Sequence, residues 1–217
     1  SNSGLLTTVA WSLRGQLSYA LEGSAFVAGA AVQFLRDQLG IISASAETEK
    51  LAIDAVGAPE IFFVPALAGL GAPYWDPRAQ GMLLGLTRGT TKAQIIRATL
   101  EGIAFQVVDL IDSMRRDAGR DVSVLRVDGG AASNNLLMQS QANFARIMVD
   151  RPTMLETTAL GAALFAGLGA GVYSTLAELK SARKPQHLFE PRECGLDAKL
   201  AGWRRAVKAV QVFAGTI

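Results

Sequence analysis

Two clusters of glycine and amide residues have the types and spacing that suit a ligand, and the first of them suits a phosphate group. In "LRVDGGAASNN" (125–135) an apolar run ends at Gly129 and Gly130, and Ser133 and Asn134 stand where a helix is predicted to begin. Both glycines permit a positive φ and close approach of a ligand to the backbone, and the N–H groups of a following helix attract anions. The pattern matches neither GxGxxG nor a P-loop, so it predicts either a nucleotide-binding turn or a plain structural turn. Asn134 either caps the helix or gives its amide to a ligand.

The second cluster lies in "FVAGAAVQF", where Gly29 and Gln33 are four positions apart on one face of a predicted helix. A glycine inside a helix costs about 1 kcal/mol relative to alanine, so something should offset it. Close helix packing is one explanation, and the neighbouring alanines favour it. The other is a ligand that rests against this surface, with Gln33 supplying a polar contact.

Histidine and cysteine chemistry has little support in the sequence. The chain has one histidine, His187, and one cysteine, Cys194, which excludes an internal disulfide and a Cys/His metal cluster. His187 lies in a predicted loop between two prolines, which is typical of a surface position. Cys194 has no evident basic partner to lower its pKa, so we expect an inert thiol. No catalytic residue and no metal ligand is assigned to this chain.

The composition predicts one folded unit with a large core. Half of the 217 residues are hydrophobic, and 21 basic residues face 19 acidic ones, a net charge of +2. The basic cluster Arg204, Arg205 and Lys208 indicates a solvated helix face and no nucleic-acid partner, which would require a basic stripe with aromatics. No apolar stretch reaches the roughly 18 residues that a membrane span requires, and no leader is evident. We therefore expect a cytoplasmic protein.

The elements that must position these clusters alternate between strands and helices. A hairpin is predicted from "LLTTVAWS" and "QLSYALEG", followed by a helix that starts at an N-cap, Ser24, and stops at Gly40. The segments that follow are a second helix ending at Gly57, strands "IFFVPAL" and "MLLGL", a long helix ending at Gly119, strand "VSVLRV", a helix from about Asn134 to Met148, strand "VDRP", the helix "TALGAALFAGLG" and a C-terminal helix. This order predicts an α/β fold with a mixed sheet flanked by helices.

Two further stretches are ambiguous in isolation. The loop "GLGAPYWDPRAQG" carries Tyr74 and Trp75, which either belong to a functional loop or close a hydrophobic edge. The helix "TALGAALFAG" consists of small residues, which is typical of close packing and suits a hinge between domains.

Four stretches together resemble the C-terminal domain of the FGGY carbohydrate kinases. They are "GLGAPYWDP", "GMLLGLTRGTTKAQIIRATLEGIAFQ", "LRVDGGAASNNLLMQ" and "TALGAALFAGLGAGVY", in the order that the family has them. The resemblance extends from about Gly4 to about Val212. The motif "GAPYWDP" is similar to the glycerol kinases within the family.

The resemblance implies an actin-like (ribonuclease-H-like) fold and a chain that is half of a two-domain enzyme. Residues 3–217 would form the nucleotide-binding C-terminal domain, and the N-terminal domain, with its Asp-Gln-Gly-Thr-Thr turn and catalytic aspartate, would be absent. No "DQGTT" and no "GDQQ" stretch occurs in the sequence. Residues that match the family's nucleotide contacts are Gly29, Gln33, Gly130 and Asn134, with Asp128 and Gly129 in the same motif.

The implied activity is transfer of the γ-phosphoryl group of ATP, with Mg²⁺, to glycerol, which the absent domain would hold for the most part. We expect this fragment to be inactive and the full-length protein to be a homo-oligomer. Another FGGY kinase, such as a pentulose kinase, a non-catalytic actin-like nucleotide-binding domain and a structural domain without a ligand remain as alternatives.

Overall fold

The structure is a computed structural model that describes residues 1–13, 15–55, 60–180, 184–192 and 195–217. The predicted end of the second helix at Gly57 and the predicted inert thiol of Cys194 lie outside these residues. In chain order the helices and strands are β1 (Leu6–Leu13), β2 (Gln16–Glu22), α1 (Gly29–Asp37), α2 (Glu47–Ile53), β3 (Phe62–Val64), β4 (Met82–Leu84), α3 (Lys92–Ala118), β5 (Val124–Arg126), a 3₁₀ helix (Gly130–Ser133), α4 (Asn135–Ala145), β6 (Met148–Pro152), α5 (Thr157–Gly169), α6 (Leu176–Lys180), β7 (Pro185–Phe189) and α7 (Leu196–Ala214).

The strands form three small sheets among the described residues. β1 and β2 make the predicted antiparallel hairpin, and β3 pairs with β4 in the same sense. The third sheet has the order β5-β6-β7, parallel between β5 and β6 and antiparallel between β6 and β7. The α/β class with mixed strand directions is confirmed, but the strands do not join into one sheet.

β7 corrects the prediction that His187 lies in a loop. His187 pairs with Arg151 of β6, and its ring lies 4.3 Å from that of Phe189. The prolines that suggested a loop are compatible with this strand because it lies at the sheet edge, where a missing N–H is tolerated. Proline is therefore a poor signal for excluding an edge strand.

The long helix α3 is the centre of the core, as its apolar spacing predicts. Thr91 and Gln94 form a capping box at its start, and Gly119 ends it with φ +59°. Its buried face packs against β3, α1, α2 and α4. Phe105 of this helix stacks on Phe144 of α4 and on Trp203 of α7, at ring distances of 4.3 and 5.3 Å.

Helix α1 begins later than predicted. The expected N-cap, Ser24, instead lies in an extended segment, where its carbonyl oxygen accepts the N–H of Ala72 at 2.8 Å. Pairing with the aromatic loop holds the chain extended there, and the first helical residue is Gly29. The glycine at position 29 is consequently the first residue of the helix and not an interior one.

The aromatic loop closes an edge of the core. Tyr74 donates its hydroxyl to Asp109 of α3 at 2.9 Å, and Trp203 donates its indole N–H to the same carboxylate oxygen at 2.8 Å. Trp75 packs edge-on against Phe26 and donates to the carbonyl oxygen of Gly4. These contacts support a structural role for both loop aromatics.

Helices α7 and α5 differ in the residues that they expose. Arg204, Arg205 and Lys208 are exposed on α7, as predicted for a solvated face. Helix α5 has no buried residue despite its apolar sequence, and the close approach to its small residues in the described part of the chain is that of the Tyr173 ring to Gly167. Within that same part, no helix is both long enough and apolar enough to cross a bilayer.

Candidate functional site

The four residues predicted to bind a nucleotide line one cavity. It has a volume of about 750 Å³ and lies between α1, α2, α3 and the turn that precedes α4. The predicted residues on its wall are Gly29, Gln33, Gly130 and Asn134. Two clusters that are far apart in the sequence therefore meet at one place.

The floor of the cavity is apolar. It is formed by Val32 of α1, Leu100 of α3 and Leu137 of α4, all buried. Apolar surface with a few polar groups at its rim is typical of small-molecule sites, and a flat aromatic ring would bury well against these side chains. Leu100 and Leu137 were not predicted as site residues, because a buried leucine in an amphipathic helix looks the same whether or not a ligand covers it.

The glycine turn is held by its own backbone. Gly129 has φ +78°, donates its N–H to the carbonyl oxygen of Leu155 at 2.8 Å and accepts the N–H of Ala132 at 3.0 Å. Both glycines permit a positive φ, and of the two it is Gly129 that adopts one. In the described part of the chain, the N–H groups of Gly130 and Ala131 have no hydrogen-bond partner and are available to a ligand.

Among the described residues, no atom packs closely against the positions where Gly29 and Gly130 would carry a Cβ. A Cβ atom added to either one would meet no atom of the described residues within 4 Å. Tight packing against another helix therefore does not account for Gly29, which removes one of the two explanations that its sequence left open. Because both residues line the cavity, what their missing side chains preserve is cavity volume.

The start of α1 and the side chain of Gln33 are free to meet a ligand. No side chain of the described residues caps this helix, so within that part of the chain the positive end of its dipole is left uncapped at Gly29. Gln33 is exposed, lines the cavity and makes no side-chain hydrogen bond to the described residues. A free amide can donate to and accept from a bound polar group.

Asn134 is the N-cap of α4. Its Oδ1 accepts the N–H of Leu137 at 2.9 Å, and its Nδ2 donates to Thr48 Oγ1 of α2 at 3.1 Å. Of its two predicted uses, capping is the one observed. Among the described residues, the second hydrogen of Nδ2 and the second lone pair of Oδ1 have no partner, and either can serve a ligand contact.

Helix α2 and the residues just before it form one wall of the cavity, which no pattern in the sequence predicts. Ser45, Ala46, Thr48 and Glu49 line the cavity. The carboxylate of Glu49 accepts the backbone N–H of Asn135 at 2.7 Å and its side-chain amide at 2.9 Å. These partners are far apart in the sequence, and no local pattern relates them.

Other residues of interest lie away from this cavity. Asp128, although in the glycine motif, is exposed and is not part of the cavity wall. The ring of His187 lies tilted against the ring of Phe189 in β7. Glu49 is the one carboxylate among the lining residues, and both of its oxygens are engaged by Asn135.

Residues 1–170 match the sequence profile of the C-terminal domain of the FGGY family of carbohydrate kinases. The chain belongs to this family. It is 51% identical to glycerol kinase of Streptococcus agalactiae over 216 residues, which cover 99% of this chain and 43% of that relative. Glycerol kinase of Enterococcus casseliflavus is also 51% identical, over 98% of this chain and 42% of its own length. The chain thus spans less than half the length of these FGGY relatives.

Solved structures agree with the predicted fold. Glycerol kinase of Plasmodium falciparum, solved with ADP, superposes with a TM-score of 0.86 at 33% identity, over 97% of this chain and 42% of that one. Xylulose kinase of Lactobacillus acidophilus superposes with a TM-score of 0.76 at 21% identity, which shows the fold alone. The actin-like α/β fold of the FGGY kinases is therefore confirmed for this chain.

Proposed function

We propose that residues 3–217 are the nucleotide-binding half of a glycerol kinase, which transfers the γ-phosphoryl group of ATP to glycerol. The observation that carries this proposal is the meeting of Gly29, Gln33, Gly130 and Asn134 on one cavity wall. Relatives at 51% identity are glycerol kinases, and a similar structure contains ADP. The xylulose kinases share the fold at low identity and give no comparable support for a pentulose substrate.

The cavity fits a nucleoside diphosphate. Its volume of about 750 Å³ lies within the range of roughly 300–1,000 Å³ that is usual for small-molecule sites. The apolar floor of Val32, Leu100 and Leu137 suits the base. The free N–H groups of Gly130 and Ala131 and the uncapped start of α1 suit anionic or polar groups.

The role of this chain in the reaction would be to hold and orient the nucleotide. The bound ATP and Mg²⁺ supply the transferable phosphoryl group and neutralise its charge, and the protein contributes mainly positioning. Backbone N–H groups at the turn and the Gln33 amide would fix the nucleotide. The side chains lining the cavity offer no free carboxylate for Mg²⁺, so the phosphates and the rest of the full-length enzyme would bind the metal.

The remaining parts of the function are assigned to the N-terminal half of the enzyme. Most glycerol contacts and the aspartate that accepts the hydroxyl proton would lie there. Assembly into a homo-oligomer and a cytoplasmic location stay predictions from the sequence.

Titration with ADP in a calorimeter tests the nucleotide site. We expect the wild-type chain to bind ADP weakly and Gly130→Val to weaken binding at least tenfold, because the new side chain fills cavity space without striking the protein. Gly161→Val is the matched control, since Gly161 also has open space around its missing Cβ but lies on α5, outside the cavity. Equal affinity in Gly130→Val and wild type would remove this assignment, and a flat wild-type titration would favour a structural domain without a ligand.

A further inference from the structure

Arg151, a buried residue of β6, holds the outer side of the nucleotide turn. Its Nη1 donates to the carbonyl oxygens of Ala132 and Ser133 at 3.0 and 3.3 Å, and to Asn135 Oδ1 at 2.9 Å. The residue is 9% exposed. One guanidinium nitrogen therefore joins three acceptors that span the 3₁₀ helix and the first residue of α4.

The setting of this guanidinium is unusual for a buried arginine. Its carbon lies 5.1 Å from the ring centre of Phe189, and its Nε has no hydrogen-bond partner among the described residues. In that part of the chain, no carboxylate lies within ion-pair distance of it, although buried arginines are usually paired. The acceptors that compensate its burial are mainly the carbonyl groups of the turn.

The hydrogen bonds from Arg151 restrict the orientation of two peptide planes beside the cavity. When a carbonyl oxygen of a tight turn is held from behind, the peptide plane is fixed, and so is the direction of the N–H on its other end. The carbonyl groups of Ala132 and Ser133 share their peptide planes with the N–H groups of Ser133 and Asn134, and both of these residues line the cavity. Without Arg151, the carbonyls of Ala132 and Ser133 would lose their common donor, and the turn would sample other orientations.

We infer that Arg151 is a positioning residue of the nucleotide site, which sets the orientation of the Gly130–Asn134 turn without touching the nucleotide. This inference rests on the proposed function, because it assigns the turn to nucleotide binding. Its effect is expected on affinity and on the order of the turn, and not only on the stability of the whole chain.

The test compares Arg151→Met with two controls. Arg126→Met removes an exposed guanidinium from the neighbouring strand β5, and Val207→Ala truncates a buried side chain of α7, which packs against β3, α3 and α4. The first control matches the loss of charge and the second matches a loss of stability. Arg151→Lys keeps the charge but replaces the planar group by a single ammonium, so it should be intermediate.

The first readout is hydrogen exchange at the amides of Ala132 and Asn134, both hydrogen-bonded within the turn, in the nucleotide-free chain. We expect at least tenfold faster exchange in Arg151→Met than in either control, and five- to twentyfold weaker ADP binding by calorimetry. Exchange at these amides equal to that in Val207→Ala would overturn the inference. Faster exchange in a chain whose wild type binds no ADP would instead overturn the proposed function, and with it the link between Arg151 and a nucleotide.

Discussion

Asp109 is a carboxylate shared by three parts of the fold. It lies on α3 and accepts hydrogen bonds from Tyr74 of the aromatic loop and from Trp203 of α7. Burial raises the pKa of Asp109 from 3.8 to about 6, although these two hydrogen bonds and Arg204 act to lower it; the nearby Asp112 adds to the rise. The same burial, together with the negative charge of Asp109, raises the pKa of the Tyr74 hydroxyl.

This raised pKa predicts how stability depends on pH. Because the folded chain binds the Asp109 proton more tightly than the unfolded chain, the protonated form stabilises the fold below about pH 4. That contribution is lost as the pH rises through about 6. Asp109→Asn keeps an oxygen that can accept both hydrogen bonds but does not titrate.

We therefore expect the free energy of unfolding of the wild type, relative to Asp109→Asn, to fall by up to about 3 kcal/mol between pH 4 and pH 7. Urea unfolding across this range measures the difference. Asp121→Asn removes an exposed carboxylate and serves as the control. A constant difference between the wild type and Asp109→Asn would show that burial does not hold the proton on Asp109.

At the scale of elements, α2 depends on its neighbours. A helix of seven residues is too short to persist alone in water. It is tied to the turn by Thr48 with Asn134 and by Glu49 with Asn135, and to α3 by Arg97, which donates to the carbonyl oxygen of Ala52. The wall of the cavity and the turn beside it are consequently one hydrogen-bonded unit.

Removing the Glu49 carboxylate should therefore weaken nucleotide binding more than it weakens the fold. For Glu49→Ala we expect three- to tenfold weaker ADP binding, with a loss of unfolding free energy of about 1 kcal/mol or less, as is usual for the loss of exposed polar contacts. Glu47→Ala on the same helix is the control, since Glu47 is exposed and its side chain, among the described residues, bonds only the N–H of Ser43 in its own segment. Calorimetry and urea unfolding give the two quantities, and equal ADP affinities in the two variants would contradict the coupling.

Features that depend on residues close together in the sequence could be predicted, and features that depend on contacts between distant residues could not. The long helix α3 was predicted with its end, because the apolar repeat and Gly119 are local signals. The start of α1 was not predicted correctly, because it depends on the hydrogen bond from the N–H of Ala72 to the carbonyl oxygen of Ser24. This bond joins segments that are far apart in the sequence. Gly29 and Gly130 could be proposed as site residues from local motifs and the family resemblance, whereas Glu49 and Arg151 act through contacts that only the fold creates.

At the scale of the whole molecule, the proposed function assigns nucleotide binding to this chain and catalysis to the N-terminal half of the enzyme. Phosphoryl transfer requires an oriented nucleotide, a group that accepts the proton of the attacking hydroxyl, and a site closed to water. Under the proposed function, the cavity provides the first of these. Its single lining carboxylate, Glu49, is occupied by Asn135, and the sequence contains neither a "DQGTT" turn nor a "GDQQ" stretch.

The purified 217-residue chain should therefore form no glycerol 3-phosphate from ATP, Mg²⁺ and glycerol, even at concentrations where it binds ADP. A coupled assay that detects glycerol 3-phosphate measures this, with a full-length glycerol kinase as the positive control. A trace of activity from a contaminating kinase would be the same in the wild-type and Gly130→Val preparations, because a contaminant does not use this turn. Activity that is present in the wild type and lost in Gly130→Val would mean that this chain supplies its own proton acceptor, and the assignment of catalysis to the N-terminal half would be wrong.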